Sequence, residues 1–177
     1  MREIIMPMLY KLTFDPDVVI RVSDGATVPC GHRFWSDYEA WVAEGNTPDP
    51  ALTLSEAQAL RIAALSLECQ AAIVVGFASS ALGAATYYPT TDVDQRNLQS
   101  SALAAAWNAA ERDWSVPLWC RQGDAWGYLN HTAQQVQQVN ADWVAFRTAA
   151  QRRYADAIAQ VHKAASVDAA QAVVASA

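Results

Sequence analysis

The pattern that most constrains this fold lies near the C-terminal end of the chain. Apolar residues recur at Val136, Val139, Trp143, Phe146, Ala150, Tyr154, Ile158 and Val161, in steps of three and four. Such steps gather side chains on one stripe of an α-helix, whereas a strand would scatter them over both faces. Thr132 and Gln135 have the spacing of a capping box, so the helix is predicted to start there and run to about residue 165. At about 1.5 Å per residue it would span ~50 Å, longer than a compact domain of about 100 residues. Its stripe must therefore pack on helices of the same chain or on copies of itself as a short coiled coil. Ser166 then caps a last short helix over residues 167–174.

Upstream the periodicity changes. Residues 8–14 and the β-branched run 18–22 read as strands, and Asp24-Gly25 is a hairpin turn because both residues tolerate positive φ. Residues 26–28 begin the return strand, and Pro29 ends it or marks an edge. Ser36 and Glu39 fit a capping box, predicting a short helix to Glu44 with Gly45 as its left-handed stop; Tyr38 and Trp41 would cover the hairpin. Pro48 and Pro50 forbid helix, which makes 46–50 a linker and separates a β-rich docking unit, 1–50, from a domain over 51–177.

The second part opens with another capping box, Thr53 to Glu56, and a helix to about Val75. That helix carries two apolar stripes, one through Leu60, Ala64, Leu67 and Ala71, the other through Ile62, Leu65, Cys69 and Ile73. Burial of most of its circumference is expected. Residues 77–89 read as an irregular connection, 92–112 as a third helix, and 117–129 as a second hairpin turning at Gln122-Gly123-Asp124. The fold class is α+β. It comprises a small N-terminal β-hairpin unit with a short helix, then a mainly helical domain with an inserted β-hairpin and a long C-terminal helix.

Composition narrows the function. Hydrophobic residues make up 53% and charged residues 17%, which excludes intrinsic disorder. A net charge of −6 with scattered Lys and Arg argues against nucleic acid as a partner. The run 71–78 is far short of the ~20 apolar residues of a membrane span, and residues 1–7 lack a secretory apolar segment, so no membrane is expected and the chain is expected to be made in the cytoplasm. Cys30, Cys69 and Cys120 share no metal-ligand spacing, and no metal or cofactor is expected.

No phosphate-binding or hydrolase motif is present, and no enzyme activity is expected. Cys120 and His131 could meet across the second hairpin as a nucleophile and its base. A small buried thiol and a structural histidine are the expected roles instead. Asp92 and Asp94 suit the first turn of a helix, where carboxylates favour the macrodipole. Seven tryptophans point to a core or an interface. Trp107 and Trp143 are expected in the core, while Phe34, Trp35 and Trp41 are the candidate partner-binding residues.

Several motifs together resemble a known family. The run 76–83, Tyr87 or Tyr88, Asp94-Gln95-Arg96-Asn97-Leu98, Trp119-Cys120, Trp126 and His131-Thr132-Ala133-Gln134-Gln135 are similar to the DUF4376 domain of bacteriophage and prophage tail proteins. The resemblance covers residues from about 53 to 177. It departs from the family at Leu118, where related sequences often have an aromatic. It implies a tail structural or accessory protein, located in the virion tail and docking on or near the tail fibre or baseplate through protein–protein contacts. The alternative is a tail fibre assembly chaperone not retained in the virion. It also implies a homo-oligomer, with a trimer favoured. Asp94, Gln95, Asn97 and His131 are expected to form a polar network fixing the hairpin against the helices. Trp119, Cys120, Trp126 and Thr132 complete that structural motif.

Overall fold

The first apolar segments pair as strands. In the computed structural model, which describes residues 9–176, β1 (Tyr10–Leu12), β2 (Val18–Arg21) and β3 (Ala26–Pro29) form an antiparallel sheet in that order. The start of the expected first strand and the N-terminal stretch 1–7 lie outside the described residues. The β2–β3 turn is tied by Asp24, whose carboxylate accepts from Arg21 at 2.6 Å and from the Ala26 amide at 3.2 Å. Helix α1 (Trp35–Ala43) lies on this sheet, and Gly45 at φ 90° ends it in the left-handed region.

Two expectations for this unit are corrected. The Ser36–Glu39 capping box does not form: the helix begins at Trp35, and the Glu39 carboxylate accepts from the Trp35 indole at 3.0 Å instead. The 46–50 segment is not a free linker. Asp49 bridges to β1, donating to the Tyr10 carbonyl and accepting from the Leu12 amide, both at 2.8 Å. Its proline neighbours have no N–H to give, so the one residue able to donate makes the bond. The chain divides at Ala57, one turn into the next helix, into units Met1–Ala57 and Gln58–Ala177.

In the second unit, α2 (Leu54–Val74) leads to β4 (Phe77–Ser79), β5 (Thr86–Tyr88), α3 (Asp92–Trp107), β6 (Ser115–Gln122), β7 (Ala125–Thr132), α4 (Ala133–Lys163) and α5 (Val167–Gln171). The four strands form one antiparallel sheet in sequence order. The predicted second hairpin is β6–β7, paired from Ser115 with Thr132 to Gln122 with Ala125. The stretch 77–89, expected to be irregular, supplies β4 and β5, which extend that hairpin through the pairing of Tyr87 with Arg121. Three-residue strands are too short to show alternation in sequence.

Helix α4 starts at the Thr132–Gln135 capping box and buries Val136, Val139, Trp143, Ala150, Ala157 and Val161. Its stripe packs on α3, α5, β4 and β7 of the same chain. Phe77 and Trp143 meet at 5.6 Å between ring centres in the main core. Helix α3 ends five residues earlier than expected, at Trp107, where Asn108 turns back onto the Ala104 carbonyl at 2.8 Å. Trp107 is the last helical residue and 77% exposed, against the expectation of burial; Trp143 is in the core.

Helix α2 also departs from expectation. Of its two stripes only the one through Ile62, Leu65, Cys69 and Ile73 turns inward, with Leu65 fully buried; Leu60 and Leu67 are exposed. At its end Gly76 sits at φ 95°, where a Cβ would strike the Tyr87 ring and the Tyr88 carbonyl. Its amide donates to Thr90 Oγ1, which donates in turn to the Ile73 carbonyl.

A candidate docking face on the four-stranded sheet

Strand alternation gives the four-stranded sheet an inner and an outer face. From β6, Leu118 and Cys120 point inward and are buried, and from β7 so does His131. From the same strands Trp119, Arg121, Trp126 and Tyr128 point outward, because Trp119 pairs with Tyr128 and Arg121 with Trp126. Tyr87 joins them from β5 by pairing with Arg121.

These outer residues form one connected aromatic surface. The Trp119 and Trp126 indoles stack with centres 5.8 Å apart and planes 17° apart, and Tyr128 lies 5.0 Å from Trp119. Tyr87 meets Trp126 edge-on at 5.8 Å. The Arg121 guanidinium stands 5.1 Å from the Tyr87 ring and 5.7 Å from Trp126, within cation–π range. Its Nε is buried and has no hydrogen-bond partner among the described residues. Trp119, Trp126 and Tyr128 remain 43%, 44% and 71% exposed. A groove of about 650 Å³ continues this face between the sheet and α3, lined by Trp119, Tyr128 and Pro117 on one side and Val93, Asp94, Asn97 and Ser101 on the other.

The inner face holds the polar pair that sequence reasoning did not foresee. His131 Nδ1 lies 2.7 Å from the Leu129 carbonyl, and Nε2 lies 2.7 Å from the Tyr88 hydroxyl. A carbonyl only accepts, so Nδ1 carries the proton and the Tyr88 hydroxyl donates to Nε2. Burial lowers the His131 pKa, opposed by its bond to Leu129, and burial pushes the Tyr88 hydroxyl and the Cys120 thiol up. Both imidazole nitrogens are committed, which leaves none to activate Cys120.

The predicted motif residues thus serve separate local ends rather than one network. Asp94 accepts from Thr91 in the capping box of α3, and Gln95 donates to the Thr90 carbonyl at 2.9 Å. Asn97 is exposed at the groove, Thr132 caps α4, and His131 bonds Tyr88 and Leu129. The network expectation is corrected because Asp94 and Gln95 bond within their own helix start while His131 bonds Leu129 and, across β6, Tyr88. Trp119 and Trp126 stand on the outer surface, and Cys120 lies beneath it.

Phe34, Trp35 and Trp41, the candidate partner-binding residues, are half-buried. They pack against the buried Tyr10, Val19 and Val28, with Trp41 5.3 Å from Tyr10 and Phe34 under Arg21 at 4.4 Å. A three-stranded sheet with short strands has little else to cover its face. Arg121 and Tyr128 are the surface residues that the motif reading passed over, and it left Tyr87 open against Tyr88. Their signal is in the hairpin register: residue numbers 119 and 128, and 121 and 126, have the same sum about the Gly123 turn.

Among the described residues no group of three or more His, Cys, Asp and Glu converges as a metal site would require. The outer face is rich in Trp, Tyr and Arg, the side-chain types that dominate binding hot spots. Comparison with known proteins finds no family model, no curated protein and no solved structure that matches this chain.

Proposed function

We propose that this chain is a docking protein of a bacteriophage tail, without catalytic activity, and that it binds a tail fibre or baseplate protein through the outer face of its four-stranded sheet. The observation that carries the docking role is the exposed Trp119–Trp126–Tyr128 surface with Arg121 held over its edge. A chain that exposes stacked indoles leaves apolar area in water at a cost of about 25 cal/mol per Å², which a partner would recover. The phage context rests on the motif resemblance, and Trp119 and Trp126 belong both to that motif and to this surface.

Quantitative mass spectrometry of purified virions tests the assignment. A fixed ratio to the fibre subunit is expected, and a chain with Trp119→Ala and Trp126→Ala should fold yet be missing from particles. Absence of the unaltered chain from particles, with co-purification of the fibre from lysate, would make it an assembly chaperone instead. Retention of the double variant at full copy number would remove the outer face from the docking role.

A further inference from the structure

Helix α2 is long and apolar enough to cross a membrane by length and composition, yet only 11% of its most apolar stretch is buried within the chain. The helix is held near its ends. Gln58 donates to the Val161 carbonyl at 3.1 Å, Arg61 to the Val173 carbonyl at 2.7 Å, and the Ile73 carbonyl accepts from Thr90 at 2.7 Å. Along the same helix Leu60, Leu67 and Val74 stand 60%, 65% and 45% exposed, one heptad apart. Ala64 and Ala71 fall between them, so the seam advances by four, three, four and three, the spacing of a coiled-coil interface.

We propose that this seam pairs with the same seam on a second copy of the chain, the two α2 helices running antiparallel. The inference is independent of what the outer sheet face binds. Large and small residues alternate along the seam, and this sets the orientation. In a parallel pair Leu60 would face Leu60 and Ala64 would face Ala64, giving crowded layers next to hollow ones. Antiparallel, Ala64 of one copy sits opposite Leu67 of the other and Ala71 opposite Leu60, so each of the four layers between Leu60 and Ala71 has one large and one small side chain.

The flanking charges agree with that register. Arg61 and Glu68 lie on one edge of the seam and bond within the chain at 2.8 Å. In the antiparallel register Arg61 of each copy also comes beside Glu68 of the other, a self-complementary arrangement about a twofold axis. A bilayer would instead have to cover that ion pair and Gln70 beside it, and an interfacial helix calls for a basic flank that this acidic chain lacks. The self-association first looked for in α4 thus falls to α2, with twofold rather than threefold symmetry.

Light scattering of the full chain across a wide concentration range tests the pairing. The expected mass is twice the 19.2 kDa of one chain. Leu67→Asp, on a side chain already exposed in the single copy, should raise the dimer dissociation constant about a hundredfold or more with an unchanged far-ultraviolet circular dichroism spectrum. For orientation, a chain carrying Ala64→Cys should cross-link to one carrying Leu67→Cys and not to itself. A monomer at all concentrations overturns the proposal. So does a trimer, or self-cross-linking of the Ala64→Cys chain. Binding of the unaltered chain to phosphatidylcholine–phosphatidylglycerol vesicles, lost in Leu67→Asp, would assign the seam to a bilayer and overturn it too.

Discussion

The hydroxyl of Tyr88 donates to Nε2 of His131 at 2.7 Å inside the second unit, joining β5 to β7 beneath the aromatic outer face. The pair spans the sheet across β6, so it reports on whether β4 and β5 remain attached to the predicted hairpin. Only a neutral imidazole can accept this bond.

Stability should therefore depend on pH. Burial holds the folded-state pKa of His131 below its ordinary value, so between the two values the unfolded chain binds more protons than the folded one. Stability is fully present above about pH 6.5 and falls as pH drops from there through the lowered value, by at most about 1.4 kcal/mol per pH unit. Urea unfolding at several pH values between 7 and 5 should show the slope, and His131→Gln should flatten it. Tyr88→Phe removes the donor to a buried acceptor and should cost about 1–3 kcal/mol at neutral pH.

Gly76 and Gly83 make a matched pair of tests. Both have positive φ, 95° and 82°, but a Cβ at Gly76 would strike the Tyr87 ring and come within 2.8 Å of the Tyr88 carbonyl, whereas at Gly83 it meets nothing within 4 Å. Gly83→Ala should cost only the backbone term, about 1–2 kcal/mol. Gly76→Ala adds overpacking to it and should cost about 2–5 kcal/mol in total. Equal losses in thermal melts would mean that the β4–β5 hairpin gives way freely at Gly76.

Trp143 and Trp107 should respond in opposite ways. Trp143 is in the core against Phe77 and Phe146, and its replacement by alanine should cost about 3–5 kcal/mol. Trp107 is largely in solvent, and Trp107→Ala should stay within about 0.5 kcal/mol of the unaltered chain. Chemical denaturation followed by circular dichroism distinguishes them.

Thr132 caps the longest helix, accepting from the Gln135 amide while the Gln135 side chain accepts from the Thr132 amide. Thr132→Ala should cost about 1 kcal/mol, and Thr132→Ser should recover most of it. A Thr132→Ala chain as stable as the unaltered one in urea unfolding would show that the cap does not secure the start of α4.

Much of this architecture was legible because it is locally encoded. The stripe from Val136 to Val161, the Thr53–Glu56 and Thr132–Gln135 caps and the β6–β7 hairpin each rest on residues within a few turns or one strand pair of one another. The candidate site was legible only in part. Trp119 and Trp126 stood out as motif residues, but their companions Tyr87, Arg121 and Tyr128 depend on strand register and on a neighbouring strand too short to show a pattern. Ser36 and Glu39 show the limit of local rules: the spacing was right for a cap, and an indole four residues away took the carboxylate.

By itself the sequence determined the long helices and the β2–β3 and β6–β7 hairpins, since spacing, caps and turn residues act over distances the chain carries locally, while the short β4–β5 pair was left to the fold. It did not determine which side of an element faces in. The two apolar stripes of α2 are nearly alike as sequence, and so are Trp107 and Trp143 as tryptophans near or within helices. Burial is a property of the surface that arrives opposite a side chain. Only the tertiary structure, by packing α4 on α3 and the sheet while leaving one seam of α2 and one face of the sheet uncovered, decided which apolar groups became core and which became surface.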